Sequence, residues 1–311
     1  LKTYGMELET MTQDIFDAIW ENRPSLPQTP VFILDETRTG TSCTDKISRI
    51  QEAIAKNGAS AIILSALDEI AWTLNLRGDD VHCNPVFISY LLISKEGHTL
   101  YILEEKITEE VRQYLNLHHV EIESYSALAE DLRTFEESHQ GILQISPLAN
   151  EALYNLSAQY ADTIVQASPV ALMKAVKNES EQAGFRKAME RDGVALVKFL
   201  RWLKEAVATG NETELSVDKK LYELRAEQAD FKGISFDTIA GYKEHAAIVH
   251  YEATPETDIP LKPEGLLLLD SGAQYLDGTT DITRTIALGP LTEEEKTDYT
   301  LVLKGHLHLQ N

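Results

Sequence analysis

The stretch that most constrains the fold is residues 266–285, LLLLDSGAQYLDGTTDITRT. An apolar run typical of a buried strand ends at a carboxylate, Asp270, and a threonine-rich strand carries a second one, Asp281. Asp277 and Gly278 form the Asp-Gly dipeptide that favours a two-residue hairpin turn. We therefore expect an antiparallel β-hairpin with both carboxylates on one face, because side chains alternate between faces along a strand.

The expected hairpin does not by itself bring the two carboxylates together. A turn at residues 277–278 pairs Gln274 with Asp281, which leaves Asp270 four residues, or roughly 13 Å, further along the ladder. A bulge or kink has to shorten this offset, and Gly272 is the natural position for it.

Two interpretations of the carboxylate pair remain open from the residues alone. A divalent cation between the carboxylates would remove their repulsion and the cost of burying them unpaired. Alternatively, Asp270 caps a strand end and Asp281 accepts hydrogen bonds from the hydroxyl group of Thr279, Thr280 or Thr283.

His250, in the segment AIVHY, ends another apolar run twenty residues before Asp270. The pattern predicts a strand there, and the separation suits a strand, a loop and the next strand. The imidazole could then reach the face that carries the aspartates. The alternative is a satisfied, partly buried histidine with a structural role.

The pattern of apolar residues divides the chain into three parts. Residues 1–27 are interpreted as the remnant of a preceding domain and a proline-bearing linker, with a short helix at 13–22 that has Ile15, Ile19 and Trp20 on one face.

Residues 28–170 alternate strand and helix patterns, which predicts an α/β domain with a mixed sheet. Residues 171–311 show two long helices and then strand-like segments, which predicts an α+β arrangement. The first of these helices begins at the pair Asn178 and Glu181, and the last helix begins at the pair Thr292 and Glu295.

Charge and composition exclude several classes of function. The formal net charge is -22 and the pI about 4.8, so the surface repels phosphate backbones and anionic lipid, and we expect no nucleic-acid or membrane partner. No apolar run is long enough to span a bilayer, and no signal peptide is evident. The two cysteines, Cys43 and Cys83, are not in CxxC spacing, which indicates reduced thiols in a cytoplasmic protein.

The segment DSGAQYLDGTTDITRT, with AIVHY before it, resembles the catalytic domain of the Xaa-Pro aminopeptidase (aminopeptidase P) family, which are pita-bread metallopeptidases. ALDEIAWTLNLRGDDVHCNPVFISY and MKAVKNESEQAGFRKAMERDGVAL are similar to the middle domain and the start of the catalytic domain in the three-domain cytosolic type. The resemblance implies a creatinase N-terminal-like domain followed by the first half of an α+β pita-bread domain.

The resemblance also implies the chemistry. Asp270 and Asp281 match the first two of five ligands of a site for two divalent ions, usually Mn²⁺, with Asp281 bridging them. His250 matches the family's substrate-contacting histidine and is the expected catalytic imidazole. The implied reaction is hydrolysis of the bond before proline in a peptide substrate, and relatives suggest a homodimer.

The chain departs from the family pattern after Asp281. The family's other ligands are a histidine in a glycine-rich HGTGHG-type motif and two glutamates, but only 30 residues follow Asp281, without such a motif. We therefore expect the chain to be part of a longer protein, and the 311 residues by themselves to bind metal weakly and to be inactive. His306 and His308 are interpreted as helix residues, and His245 as an exposed loop residue, with a second residue of the site as the alternative.

Two alternatives to the peptidase remain: a non-catalytic pita-bread module that binds peptides or proteins, and a metal-independent hydrolase like creatinase. The aspartate pair counts against both. Arg77 and Asp79 lie in a polar run that we interpret as a solvated loop, with a dimer contact or the rim of the active site as the alternative.

Overall fold

The computed structural model describes residues 4–6, 14–135 and 141–310. The helix predicted at 13–22 is wrong where it is described: residues 15–19 form only hydrogen-bonded turns, and position 13 lies outside the described residues. Ile15, Ile19 and Trp20 are exposed. A short amphipathic segment is marginal as a helix when its apolar face is not packed.

The first unit is built around a mixed sheet, as the alternating pattern predicts. Its strands are β1 (Phe32–Ile33), β2 (Ala59–Leu64), β3 (Leu76–Arg77), β4 (Ser89–Ser94), β5 (His98–Ile102), β6 (Val120–Ser124), β7 (Ile142–Ile145) and β8 (Thr163–Val165). Six of them form one sheet in the order β6-β5-β4-β2-β7-β8, while β1 pairs with β3. The pairs β2–β4 and β4–β5 are antiparallel, and the other three pairs of the large sheet are parallel.

Helices cover both faces of this sheet. They are α1 (Glu36–Thr39), α2 (Cys43–Lys56), α3 (Leu67–Leu74), α4 (Glu109–Leu117), α5 (Leu128–Arg133), α6 (Glu151–Tyr160) and α7 (Pro169–Ala175). Strand β2 shows why its sequence is continuously apolar: Ile62 and Leu64 join one core cluster, and Ala61 and Ile63 join another. Val170 of α7 packs in the first of these cores, and the domain boundary expected at residue 170 stays a prediction.

The second unit begins with two packed helices, α8 (Glu179–Ala206) and α9 (Glu214–Ala226). The predicted capping box at the start of α8 is confirmed: Asn178 accepts from the Glu181 amide, and Glu181 accepts from the Asn178 amide. The N-terminal half of α8 buries small residues, Gly184 and Ala188, whereas the larger Phe185 is 37% exposed. The helix can therefore approach the following sheet closely.

Two three-stranded antiparallel sheets follow the helices. Their strands are β9 (Phe231–Ile234), β10 (Ile239–Tyr242), β11 (Leu266–Ser271), β12 (Ala273–Tyr275), β13 (Gly278–Thr279) and β14 (Ile282–Ala287). The sheet orders are β10-β11-β14 and β13-β12-β9. A final helix, α10 (Glu293–Leu309), starts at the predicted capping box of Thr292 and Glu295. In the part of the chain that is described, no helix combines the length and apolarity that crossing a membrane requires.

Charged side chains join the two units. Arg38 of α1 forms ion pairs with Asp230 at 3.1 Å and with Asp277 at 3.3 Å, and Arg191 of α8 pairs with the same two carboxylates. The indole nitrogen of Trp72 also donates across the junction to Glu181 at 3.0 Å. Both cysteines are free thiols.

Candidate metal centre

The two aspartates lie on one hairpin, as predicted, and the register brings them nearer than expected. Tyr275 pairs with Gly278 in the hairpin, so the turn residues are 276–277 rather than 277–278. Asp270 pairs with Thr283, and Asp281 consequently lies opposite Gly272. The offset between the carboxylates is therefore two residues, roughly 7 Å along the ladder, instead of four.

The turn position has a tertiary cause that the Asp-Gly dipeptide does not reveal. Gly278 packs directly against α8, where an added Cβ would lie 2.9 Å from the Cβ of Ala188. Gly184 faces the same hairpin, and a Cβ there would lie 2.5 Å from the carbonyl oxygen of Asp277. The glycine serves a close helix–hairpin contact, and the turn falls one residue earlier.

Gly272 separates β11 from β12, but it does not insert a bulge. Ser271 still pairs with Ile282 and Gln274 with Thr279, so two residues on each strand lie between the ladders. The backbone kinks instead. A Cβ on Gly272 would lie 2.1 Å from the carbonyl oxygen of Thr280, a distance that only glycine permits.

The Thr280 amide still donates to the Ala273 carbonyl at 2.9 Å, and further hydrogen bonds hold the chain at this kink. The Thr280 carbonyl accepts from the Ser235 hydroxyl at 2.8 Å, and the Thr280 hydroxyl accepts from the Ala273 amide at 3.0 Å. The Gly272 carbonyl accepts from the Ser235 amide at 3.1 Å. Hydrogen bonds from Ser235 and Ala273 thus hold the backbone next to Asp281.

A buried ion pair supports the same position. Arg225 of α9 binds Asp192 of α8 through two hydrogen bonds of 2.8 and 3.1 Å, and both side chains are buried. Arg225 also donates to the Gly272 carbonyl at 3.3 Å, and the Tyr275 hydroxyl donates to Asp192 at 3.1 Å. The two long helices therefore fix the strand that carries Asp270.

The two carboxylates differ in their surroundings. Asp270 is half-buried and accepts a 2.6 Å hydrogen bond from the Thr283 hydroxyl. Asp281 is exposed, and within residues 4–6, 14–135 and 141–310 no hydrogen bond or ion pair engages its side chain. The alternative that a threonine hydroxyl donates to Asp281 is therefore wrong, because the Thr283 hydroxyl donates to Asp270 instead.

His250 does not lie on a strand, so that prediction is wrong. A 3₁₀ helix, Lys243–Ala247, follows β10, and His250 occupies an exposed turn in the left-handed region with φ of 55°. Ile248 and Val249 are 53% and 83% exposed. The apolar run therefore lacks the burial and cross-strand packing that underlie β-propensity.

His250 and the aspartates do not form a three-residue ligand cluster. Of the described residues, only another trio has all its ligand atoms within 4.8 Å of one another. At least one pair of ligand atoms among His250, Asp270 and Asp281 is therefore farther apart than that distance.

Sequence reasoning missed Glu214, which anchors the segment before His250. Glu214 is fully buried at the first turn of α9, and its carboxylate accepts from the Tyr242 amide at 2.7 Å and the Tyr251 hydroxyl at 2.8 Å. His245 lies 3.0 Å from both of its oxygens, so the expectation of an exposed loop histidine is wrong. An acidic residue at a helix start is too common to signal such a cluster.

The remaining candidates fall outside the centre. The guanidinium of Arg77 donates to the carbonyls of Ala71 and Leu76, and burial lowers the pKa of Arg77 to about 10, so Arg77 does not belong to a solvated loop. Asp79 is exposed, as a solvated loop would have it. His306 and His308 are exposed on α10, which confirms them as helix residues.

The chain matches two protein-family models, one for each unit. Residues 22–181 match the model of the creatinase/prolidase N-terminal domain, and residues 183–311 match that of metallopeptidase family M24. The chain belongs to the creatinase/prolidase family. The predicted order, a creatinase N-terminal-like domain followed by an M24 pita-bread segment, is confirmed.

Xaa-Pro aminopeptidases of other organisms are similar to nearly the whole length of this chain. A probable Xaa-Pro aminopeptidase P of Sordaria macrospora is 38% identical over 98% of the chain and 52% of that protein. Xaa-Pro aminopeptidase 1 of Dictyostelium discoideum is 40% identical over 93% of the chain and 46% of that protein.

A solved structure is likewise similar to nearly the whole chain. The X-prolyl aminopeptidase of Caenorhabditis elegans, described as a cytosolic enzyme with a di-nuclear active site, superposes with a TM-score of 0.91 at 32% identity. The alignment covers 98% of this chain and 51% of that one. The chain thus spans about half the length of the relatives that it matches.

Proposed function

We propose that the chain is part of a cytoplasmic metallo-aminopeptidase that hydrolyses the peptide bond between an N-terminal residue and proline. The observation that carries the proposal is the hairpin: Asp270 and Asp281 lie two residues apart in its register, and Asp281 has no partner among the described residues. The match to the M24 model and the Xaa-Pro aminopeptidases among its relatives support this chemistry.

The donor set fits hard divalent ions. Two carboxylates supply oxygen ligands of the kind that Mn²⁺ prefers, and a partnerless exposed carboxylate is available for coordination without breaking an existing bond. We propose two Mn²⁺ ions, by analogy with the di-nuclear site of the C. elegans relative. Two carboxylates do not complete such a shell, so the proposal includes ligands supplied from outside residues 1–311.

The chain's own residues have distinct roles in this proposal. Asp270 and Asp281 hold the ions, which when bound would supply a water of lowered pKa and polarise the scissile carbonyl. His250 contacts the substrate and donates a hydrogen bond to the oxygen on which charge develops. Glu214, through His245 and Tyr251, anchors the segment that presents His250.

The test is release of the N-terminal residue from an Xaa-Pro peptide by the full-length protein with added Mn²⁺. We expect Asp281→Ala to lower turnover by about 100-fold or more, because even changes next to direct ligands cost 10–100-fold. Asp298→Ala, at another exposed aspartate of the second unit, should keep full turnover. Normal turnover in a folded Asp281→Ala protein would exclude the assigned role.

A further inference from the structure

A second group of metal-ligating side chains lies at the junction of the two units, in His82, Cys83 and Asp237. The loop between β3 and β4 carries His82 and Cys83, and the turn between β9 and β10 carries Asp237. Their ligand atoms, an imidazole nitrogen, a thiol sulfur and a carboxylate oxygen, all lie within 4.8 Å of one another. His82 Nε2 lies 2.8 Å from Asp237 Oδ1. We propose that these three side chains form a Zn²⁺ site that links the two units.

Buried polar contacts of the first unit hold the loop that carries His82 and Cys83 in place. Asp80 is buried, paired with the buried Lys106, and accepts from the Ile88 amide at 2.6 Å. The next turn is closed by Asn84, whose side chain donates to the His82 carbonyl at 3.0 Å. The ligand loop is therefore preorganised rather than a free surface segment.

Cys83 itself is fixed from the second unit. Its backbone is in the left-handed region, with φ of 62°, which a residue with a Cβ rarely adopts. Gln274 of β12 donates from its side-chain amide to the Cys83 carbonyl at 2.9 Å. The strained residue is thus pinned by the same unit that supplies Asp237, and this contact positions the thiol.

The donor set selects zinc over the ions proposed for the aspartate pair. Zn²⁺ accepts nitrogen, thiolate and carboxylate ligands in a tetrahedral site, whereas Mn²⁺ favours sites rich in oxygen. A cavity of about 420 Å³, lined by residues of both units that include Phe32, Tyr222 and Lys232, borders the cluster and leaves room for a water as fourth ligand. This site does not depend on the proposed peptidase activity.

Binding must release protons, which gives the site a pH signature. Zn²⁺ requires a neutral imidazole and a thiolate, so its affinity should rise with pH across the neutral range.

The experiment titrates the full 311-residue chain with Co²⁺ as a spectroscopic substitute and then with Zn²⁺ against a chromophoric chelator. We expect one Co²⁺ per chain with a thiolate-to-cobalt charge-transfer band, displaced by Zn²⁺. Cys83→Ser should abolish the band, and His82→Ala and Asp237→Asn should each weaken Zn²⁺ binding by about 100-fold, at least the loss seen when a supporting residue is removed. The His82 and Asp237 side chains are 73% and 50% exposed, so these variants should fold.

Two controls separate this site from the rest of the molecule. Cys43→Ser should keep the band, because Cys43 lies in the first core. The double change Asp270→Asn and Asp281→Asn should also keep it, whatever that change does to peptidase activity. A band that survives Cys83→Ser, a band lost with the aspartate pair, or unchanged Zn²⁺ affinity in Asp237→Asn would overturn the proposal.

Discussion

Asp192 and Asp281 are both linked to Gly272, Asp192 through Arg225, which donates to the Gly272 carbonyl, and Asp281 through the strand register, yet their carboxylates are in opposite situations. Asp192 is fully buried, and Arg225 and Tyr275 donate to it. Asp281 is exposed and has no partner among the described residues. A buried carboxylate has to be paired, because an unpaired charge away from water is costly, whereas an exposed one bears no such cost. Asp192 holds Arg225, which donates to the Gly272 carbonyl, and Asp281 remains available for a ligand.

Two buried lysines, Lys106 and Lys46, differ in whether an opposite charge pairs with them, as it does with Asp192. Lys106 is paired with a buried carboxylate, that of Asp80. Lys46 is equally buried, but among the described residues its hydrogen-bond partners are neutral: the carbonyl of Trp72 at 2.8 Å and the side-chain oxygen of Asn75 at 2.6 Å. Lys46 is therefore the buried charge that should show the cost of incomplete pairing.

The largest effect is expected from breaking the buried pair. Arg225→Met leaves the Asp192 carboxylate buried without its cation and should reduce the free energy of unfolding by about 3–5 kcal/mol, measured by chemical denaturation. Asp192→Leu introduced together with Arg225→Met removes the stranded charge and should recover a large part of the loss. A loss below about 1 kcal/mol in the single variant would contradict the role given to the pair.

The cost of burying Lys46 without an opposite charge should appear as a dependence of the free energy of unfolding on pH. Burial lowers the pKa of Lys46 to about 7 in the folded protein, from 10.5 for an unperturbed lysine. Between these two values the unfolded chain binds a proton that the folded chain lacks, so stability rises with pH in this window, and the cost is fully present below it.

Lys46→Met removes the titrating amine, so the contribution of Lys46 to the pH dependence of the free energy of unfolding is lost. The free energy of unfolding of the unmodified chain minus that of the variant should rise by up to about 1.4 kcal/mol per pH unit between about pH 8 and pH 9.5. Lys56→Met, at an exposed lysine of the same helix, serves as the control and should leave a flat difference. A flat difference for Lys46→Met as well would show that Lys46 is not a buried, neutral amine in this range.

The sequence could predict elements whose stability is local or periodic. The mixed sheet, the capping boxes of Asn178 and Thr292 and the hairpin that carries Asp270 and Asp281 follow from propensity, capping chemistry and strand alternation. These features depend on residues close together in the chain, or on one strand's own pattern, and they are confirmed in the fold.

Features decided by distant contacts could not be predicted. The hairpin turn shifts by one residue because Gly278 packs on α8, and this shift halves the offset between the aspartates. Glu214 organises the segment before His250 through contacts with His245 and Tyr251, more than thirty residues away. Neither the Asp-Gly dipeptide nor an acidic residue at a helix start contains that information.

The smallest effect on stability is expected at Asp281. The same residue gives the most direct test of the proposed metal site. Asp281→Asn should change the free energy of unfolding by less than about 0.5 kcal/mol, because the exposed side chain has no partner among the described residues.

The deciding measurement is a Mn²⁺ titration of the full-length protein, followed by electron paramagnetic resonance. We predict that the unmodified protein binds two Mn²⁺ ions with magnetic coupling between them, and that Asp281→Asn loses this coupling and binds Mn²⁺ about 100-fold more weakly or worse. The same coupled spectrum and affinity in Asp281→Asn would contradict the claim that this carboxylate, left open by the fold, holds the metal.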